Sequence, residues 1–424
     1  MRRELWLWGL AMLALLLAPL YWSGNAELAL LTQVAIAALA CLSYNLLFGQ
    51  GGMLSFGHAV YTGIGCYAGV HALRVAASGS LPLPVSLVPL AAGLAGIALA
   101  LPLGWASTRK SGTPFAMITL GLGELVAAAA LMFPALFGGE AGVSANRVIG
   151  PPVWGISFGP QIEVYYLCAA YALGGAALLR AFSATPLGRL LNAVRDNAER
   201  AAFIGYDPHA VRFLAFLVSA FLAGVAGGLA ALHFEIASPE ALGAHRSASW
   251  LLFTFLGGSA CFLLGPVLGA LLLVFSTVLL SEWTPAWQLY LGLCFLFMVM
   301  RAPQGLAGLL LQAVERFRAV PLSSRLPAAL ARTAAVLLAL LGAGALVELV
   351  YQLQLHSVSG GRLVYLGLQL DTGSAADWLL AAVSLLAGLV LQRRLRSREI
   401  AAAAGQRERA GLPARRSAGA RGMR

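Results

Sequence analysis

The chain has 424 residues, of which 60% are hydrophobic and only 11% are charged. Soluble domains carry roughly 25% charged residues, so this composition excludes a soluble globular protein. The apolar runs approach the ~20 residues that cross a bilayer as a helix. They are also continuous, whereas barrel strands alternate. The predicted fold class is therefore an all-α, polytopic membrane helical bundle surrounded by lipid bilayer.

The net charge of +11 does not indicate nucleic-acid binding, because most of it lies in one tail. Residues 393–424 hold ten arginines against Glu399 and Glu408. The cysteines lie in apolar runs, without the spacing of a disulfide framework or a CxxC metal site. They are Cys41, Cys66, Cys168, Cys261 and Cys294. We expect no nucleic-acid partner and no metal.

Twelve apolar runs are candidate spans, and the eighth is short. They are residues 5–22, 28–48, 57–76, 83–107, 113–137, 162–182, 212–232, 249–262, 265–281, 286–300, 333–351 and 377–392. The first follows Arg2 and Arg3 as a signal peptide would, but its length favours an uncleaved span. We predict about 10–12 transmembrane spans, some of them broken or re-entrant.

The distribution of basic residues predicts the topology. If the N-terminus is cytoplasmic and the spans alternate, only four of the 28 basic residues fall outside. Those four are Arg74, Arg147, Arg246 and Arg362. This asymmetry agrees with the positive-inside rule and predicts that both termini are cytoplasmic.

Two glycine-rich stretches should interrupt the spans. The first, GQGGMLSFG at 49–57, is predicted to break at Gly51 and Gly52. Irregular backbone at membrane depth must be buried in protein or line a cavity, and broken helices often form transporter substrate sites. The alternative is an ordinary cytoplasmic loop followed by a glycine-rich helix interface.

The second stretch, GGSACFLLGPVLG at 257–269, has candidate breaks at Gly257, Gly258, Gly265 and Pro266. The pair Gly265–Pro266 is expected to interrupt the helix. Two half-spans inside the bundle fit this pattern, and so does a plain helical hairpin turn.

Glu124 is the one acid in the middle of a span. Such an acid normally faces the bundle interior and has a partner, for which Tyr44, Asn45 and His58 are candidates. It could serve the substrate or a gate, or it could clamp helices together. His58 has the same two interpretations, as a pathway group or as a core histidine. The candidate pathway residues are Asn45, Ser55, His58, Thr119 and Glu124.

Other reactive constellations are missing from the sequence. His233, Glu235, Glu240 and His245 match neither HExxH nor a zinc-finger spacing, so they are interpreted as solvated loop residues. The stretch GWASTRKS at 104–111 lacks the second glycine of an ATP-binding loop. An intramembrane enzyme would need a nucleophile–base pair, and none is evident. These observations favour a transport subunit over an enzyme.

The longest polar interruption before residue 300 is TPLGRLLNAVRDNAERAAFIGYDPHAVRFLAF at 185–216. Pro186 and Gly205 are predicted to bound one helix in it, with separate polar and apolar stripes. It could be a solvated loop helix, or a rigid lever on which a cytoplasmic motor docks.

Within this stretch, ERAAFIG at 199–205 resembles the E-A-A-x-x-x-G loop of ABC-transporter permease subunits. The longer run at 185–231, TPLGRLLNAVRDNAERAAFIGYDPHAVRFLAFLVSAFLAGVAGGLAA, is similar to the LivM-like branch of the branched-chain amino-acid permease family. Three further stretches resemble motifs of the same family, namely SYNLLFGQGGMLSFGHAVYTGIGCYAG, TPFAMITLGLGELV and FLGGSACFLLGPVLGALLL. Together these motifs cover about residues 44–310. Arg200 departs from the loop pattern, where alanine is usual.

The resemblance implies a pore-forming permease subunit of an ABC importer in the bacterial inner membrane, which moves branched-chain amino acids or related small polar solutes. Implied partners are a second, LivH-like permease subunit, two cytoplasmic ATPase subunits that bind ATP and Mg, and a periplasmic substrate-binding protein. No cofactor is expected in this chain. The residues expected to couple to the ATPase are Gly188, Arg189, Arg195, Glu199, Ala201, Ala202 and Gly205.

Four regions follow. Residues 1–310 form the permease core with the coupling loop at 185–212, and residues 311–332 a basic amphipathic cytoplasmic linker. Residues 333–392 add a two-span extension, and 393–424 a basic disordered cytoplasmic tail. The alternative function is an ion-coupled secondary transporter that acts alone with Glu124 as its coupling group, which predicts an internal repeat that is not evident.

Overall fold

A computed structural model describes residues 2–79, 83–149, 157–259, 261–284, 286–302, 304–319, 326–355, 362–365 and 368–409. The helices in these ranges are α1 Arg2–Tyr21, α2 Asn25–Asn45, α3 Ala59–Ala77, α4 Val88–Ser107, α5 Thr113–Met132, α6 Pro134–Phe137, α7 Gln161–Ala184, α8 Pro186–Asp196, α9 Ala198–Phe203, α10 Pro208–Phe234, α11 Ala244–Gly257, α12 Leu264–Val274, α13 Ser281–Trp283, α14 Trp287–Arg301, α15 Gly305–Ala319, α16 Leu326–Leu355 and α17 Ala375–Arg409. Two antiparallel strand pairs accompany them, β1 Val143–Ser144 with β2 Ile236–Ala237, and β3 Arg362–Tyr365 with β4 Leu368–Asp371.

The predicted helical membrane bundle is confirmed. Each of the twelve predicted apolar runs contains a helix. Among the described residues, eight helices are long and apolar enough to cross a membrane, or nine if the bent pair α14–α15 is one span. Three further helices, α1, α3 and α11, do not meet that criterion. α3 falls short because His71 and Arg74 interrupt its apolar character.

The structure divides into two compact units, the first comprising Met1–Trp283 and Tyr290–Gln312. Its central helix is α2, which is buried almost continuously from Ala35 to Leu47. α10 crosses α3 and α4 at close range through small residues. A methyl group at Gly224 would lie 2.6 Å from the Ala92 carbonyl oxygen, and one at Gly96 would lie 2.6 Å from the Ala220 carbonyl oxygen. Small residues allow helix backbones to approach closely in membranes, so these glycines set the tight packing of the core.

The second unit comprises Thr284–Leu289 and Ala313–Arg424. In it, α16 packs against α17 through Gly342 and Gly388, where an added methyl group would meet the opposite helix backbone. α17 remains helical to Arg409, beyond residue 393, where the sequence predicted a disordered tail to begin. Residues 410–424 lie outside the described residues, and that part of the tail stays a prediction.

Candidate functional site

The first glycine-rich stretch breaks the helix, as predicted. α2 continues into a π-helical turn at Leu46–Gln50, and the chain then leaves the helix until α3 begins at Ala59. The Tyr44 hydroxyl donates to the Ser55 carbonyl at 3.0 Å, and the Phe56 amide donates to Thr119 Oγ1 at 3.2 Å. This irregular backbone is therefore buried in protein and hydrogen-bonded to two helices, as membrane depth requires.

His58 lies fully buried at the end of this stretch. Its Nε2 atom is 2.9 Å from Ser43 Oγ, and its ring contacts Tyr44 edge-on at 5.1 Å between centroids. The cavity beside it, lined by Ser55 and Thr119, measures about 10 Å³, room for at most one water. In this conformation the predicted pathway residues at the break are closed to a solute.

The second break also exists, but it does not lie at the predicted residue pair. α11 ends at Gly257, Gly258 has a φ of 112°, and α12 begins at Leu264. Gly265 and Pro266 lie in the first turn of α12, where a proline costs no helix hydrogen bond because that amide has no partner in the helix. The left-handed backbone at Gly258 is what allows the chain to turn.

The two breaks lie against each other. Asn45 Nδ2 donates to the Phe262 carbonyl at 3.1 Å. A methyl group at Gly49 would lie 2.7 Å from the Ser259 carbonyl oxygen. Only a glycine fits at this contact, and the irregular segments that follow α2 and α11 therefore touch directly.

The polar stretch after α7 folds as two short helices, which corrects the prediction of one helix. α8 ends at Asp196 and α9 begins at Ala198, because Asn197 adopts an extended backbone and accepts a hydrogen bond from the Arg200 amide at 2.8 Å. Asparagine is a favoured helix N-cap. The predicted start at Pro186 is confirmed, with Thr185 capping the Gly188 amide at 3.2 Å.

α8 is amphipathic, and its apolar face rests on the bundle through Leu191 and Val194. Of the predicted coupling residues, Gly188 and Ala201 are buried, and the others are exposed. Those others are Arg189, Arg195, Glu199, Ala202 and Gly205, the last with a φ of 95°. Two apolar residues at the end of α9, which the sequence did not indicate as functional, are also exposed. Phe203 is 90% exposed and Ile204 is 70% exposed.

Arg195 connects this helix pair to the first break. Its Nη1 atom donates to the Gly49 carbonyl at 2.7 Å, and its guanidinium pairs with Asp196 at 3.0 Å. A second contact lies alongside, where Gln50 Nε2 donates to Ser183 Oγ at 2.8 Å. The end of α2 is thus tied to α8 through Arg195 and to α7 through Ser183.

Glu124 does not face the interior, and this corrects the prediction. The buried side of α5 runs through Ala116, Thr119, Gly123 and Val126, and one residue further around the helix places Glu124 on the outer surface. No described residue gives its carboxylate a hydrogen bond or an ion pair. Its three proposed partners, Tyr44, Asn45 and His58, are occupied elsewhere.

Of the four polar residues near α10 that were predicted to be solvated, Glu240 and His245 are exposed, whereas His233 and Glu235 are half-buried and hydrogen-bonded. Arg147 donates to the carbonyls of Phe158 at 2.7 Å and of Gly159 at 3.0 Å, and it lies 3.9 Å from Glu235. His233 Nδ1 lies 3.1 Å from Gln161. Arg147 and its partners therefore hold the loops together. Among the described residues, no group of three potential ligands could hold a metal ion.

A larger cavity, of about 390 Å³, lies at the same end as Arg147 and within the first unit. α2, α3, α10, α11 and α12 line it, together with the turn before α11. Its charged lining residues are Glu240 and Arg246, and its apolar wall includes Ile36, Phe234 and Leu273. Local spacing did not reveal this site because its residues come from distant parts of the chain. The available signal was Arg246, one of the four basic residues on the predicted outer side.

Broken helices buried beside a cavity of solute size are features of membrane transporters, and the described structure fits a multi-pass transport subunit. The family described as "Branched-chain amino acid transport system / permease component" matches residues 27–302, more than half of the chain, and the chain belongs to this family. The match ends where α14 ends.

Two relatives have the description "High-affinity branched-chain amino acid transport system permease protein LivM". The chain is 28% identical to the one from Escherichia coli (strain K12) over 326 residues, which is 70% of this chain and 74% of the relative. It is 27% identical to the one from Salmonella typhimurium (strain LT2) over 328 residues, with the same coverage. No solved structure matches the chain.

Proposed function

We propose that this chain is the pore-forming permease subunit of an ABC importer for branched-chain amino acids or related small solutes. It performs no chemistry itself. ATP and Mg bind partner ATPase subunits, and this chain converts their movement into opening of a path. The observation that supports the proposal most directly is an exposed apolar tip on a polar helix pair, in a chain that belongs to this permease family.

That tip is formed by Phe203 and Ile204 at the end of α9. α8 and α9 are too polar to enter lipid, so their exposed aromatic and aliphatic side chains face water unless a protein covers them. Exposed apolar patches rimmed by polar residues mark protein interaction sites. The asymmetry of the basic residues supports a cytoplasmic location for α8 and α9, where an ATPase subunit would dock.

Movement of α8 would be transmitted through the Arg195–Gly49 hydrogen bond to the end of α2. From there, the Asn45–Phe262 bond leads to the break before α12. The Ala59 amide, at the start of α3, donates to Ser247 Oγ of α11 at 2.9 Å. Since α2, α3, α11 and α12 all line the large cavity, a shift of α8 could reshape it.

The proposed assembly contains a second, LivH-like permease subunit, two cytoplasmic ATPase subunits and a periplasmic substrate-binding protein. The chain would lie in the bacterial inner membrane with both termini in the cytoplasm. In this arrangement the large cavity opens toward the side on which the binding protein delivers its ligand.

The test replaces Phe203 and Ile204 together by serine in cells that express the whole transporter. We expect that the ATPase subunits no longer co-purify with this chain and that leucine uptake falls to background. Insertion of the chain into the membrane should be unchanged. Val148→Ser, an exposed aliphatic residue of the loop after β1, is the matched control and should leave both readouts intact. Full uptake by the double variant would contradict the proposal. Uptake driven by an ion gradient in proteoliposomes of this chain alone would favour the secondary transporter instead.

A further inference from the structure

We infer that the 390 Å³ cavity is a binding site for the zwitterion of an aliphatic α-amino acid, with Arg246 as the partner of its carboxylate and Glu240 as the partner of its ammonium group. This inference rests on the proposed transport function and names the residues that would bind the solute within the membrane subunit.

The two charged groups of the cavity, Arg246 and Glu240, form no ion pair among the described residues and can bind a charged ligand. Arg246 is exposed in the first turn of α11, and its guanidinium lies 4.9 Å from the centroid of the Trp250 ring. No described carboxylate forms an ion pair with it. Glu240, in the turn before α11, is exposed as well and has no ion pair among the described residues. Arg147 differs, because carbonyl groups and Glu235 occupy its guanidinium.

Both groups line one cavity without pairing with each other. A ligand that carries both a cation and an anion can satisfy both at once. Arginine recognises carboxylates through paired N–H donors. The positive end of α11, whose N-cap Gly243 makes no side-chain cap, adds attraction for an anion beside Arg246. Trp250 packs under the guanidinium and limits where it can move.

The remaining wall selects the side chain of the ligand. Ile36, Ala37 and Ala40 of α2 form one side, with Leu273 and Val274 of α12 also lining the cavity. α10 contributes small residues there, including Ala226 and Ala230, which leave room. A branched aliphatic side chain would bury apolar surface against this wall, whereas a charged side chain would lose hydration without a partner.

The volume agrees with a small solute. It falls within the ~300–1,000 Å³ of typical small-molecule sites. The cavity also begins one helical turn above the first break, since Thr62 lines it and Ala59 begins α3. The position suits a site that closes or opens as the break moves.

The experiment measures binding of L-leucine to the full-length purified chain in nanodiscs, by saturation-transfer NMR titration, without ATPase or binding protein. We expect Arg246→Gln and Glu240→Gln each to weaken binding by about tenfold or more, because each removes a charge-assisted hydrogen bond. Arg246→Lys should restore part of the affinity. The matched control is Glu140→Gln, which makes the same change in an exposed acid that does not line the cavity.

Ligand analogues assign the two charges. Leucinamide, which lacks the carboxylate, should bind wild type weakly, and Arg246→Gln should lower its affinity little further. 4-Methylpentanoate, which lacks the ammonium group, should behave in the same way toward Glu240→Gln. Equal leucine binding by wild type and Arg246→Gln would overturn the inference, and so would the absence of leucine binding to wild type. Displacement of bound leucine by phosphoethanolamine would also overturn it, because it would indicate a site for a lipid headgroup. Because no ATP is involved, these outcomes are distinct from failure of the uptake test with Phe203 and Ile204.

Discussion

The guanidinium of Arg195 donates a hydrogen bond to the carbonyl of Gly49 at 2.7 Å, which joins the exposed helix α8 to the end of the central helix α2. The two residues are 146 positions apart in the chain. The contact lies in the π-helical turn that follows α2, where the regular α-helical hydrogen-bond pattern has ended.

Replacing Arg195 by alanine should therefore uncouple the transporter. We expect leucine uptake to fall about fivefold or more, a typical effect of losing an energetic coupling between sites, while ATP hydrolysis by the assembled complex continues. Stability should change by no more than about 1 kcal/mol, because the bond is exposed to solvent. The measurement is the ratio of uptake to ATP hydrolysis in proteoliposomes of the complete complex.

Asp196→Asn is the control for that variant. It removes the ion pair with Arg195 but keeps the guanidinium that reaches Gly49. If Asp196→Asn lowers the coupling ratio as much as Arg195→Ala does, the loss comes from the ion pair and the role assigned to the Gly49 contact is wrong.

Gly52 leaves room for the Arg195 side chain that makes this contact. It has a φ of 63°, and a methyl group there would lie 2.7 Å from Arg195 Cγ. Gly52→Ala should cost about 1–2 kcal/mol for the left-handed backbone, and more for displacing Arg195. Gly79→Ala is a matched control, since its φ is 72° and it has no neighbour within 4 Å. Thermal unfolding of the purified chain should show a larger loss of stability for Gly52→Ala than for Gly79→Ala. Equal losses would refute a steric clash between residue 52 and Arg195.

The sequence predicted the two stretches in which the helices break, but not the exact residues of the second break, nor the direction in which the polar residues of the helices face. Glycine at residues 49–57 and at Gly258 leaves a local signal, because backbone conformation depends on adjacent residues. Glu124 gives no such signal. Its helix is apolar on all sides, so no amphipathic stripe indicates which side is buried. The cavity of Arg246 and Glu240 depends on how α2, α10 and α12 assemble around α11, which no single stretch of sequence encodes.

The exposed position of Glu124 predicts that Glu124→Leu will not destabilise the purified chain. No described partner is lost, and an ionisable group at the centre of a span costs roughly 2.5–3.5 kcal/mol on insertion scales. The melting temperature in detergent should stay constant or rise. Glu348→Leu provides the contrast, because Glu348 is buried in α16 and accepts a hydrogen bond from Thr284. Its loss should destabilise by about 1–3 kcal/mol. A comparable fall for Glu124→Leu would show that Glu124 clamps helices after all.

The hydrogen bond between Ser43 and His58 is expected to stabilise the irregular backbone of the first break. Its Oγ atom lies 2.9 Å from His58 Nε2 and donates to the Ala40 carbonyl at 2.8 Å, and all three groups are buried. Ser43→Ala would leave the imidazole without its described hydrogen-bond partner, since His58 Nδ1 already has none. We expect a loss of about 1–3 kcal/mol in stability, together with faster hydrogen exchange of the amides at 52–58. Ser249→Ala, which loses only a bond to the His245 carbonyl of its own helix, should change neither quantity appreciably. Unchanged exchange at 52–58 in Ser43→Ala would mean that Tyr44 and Thr119 alone hold the break in place.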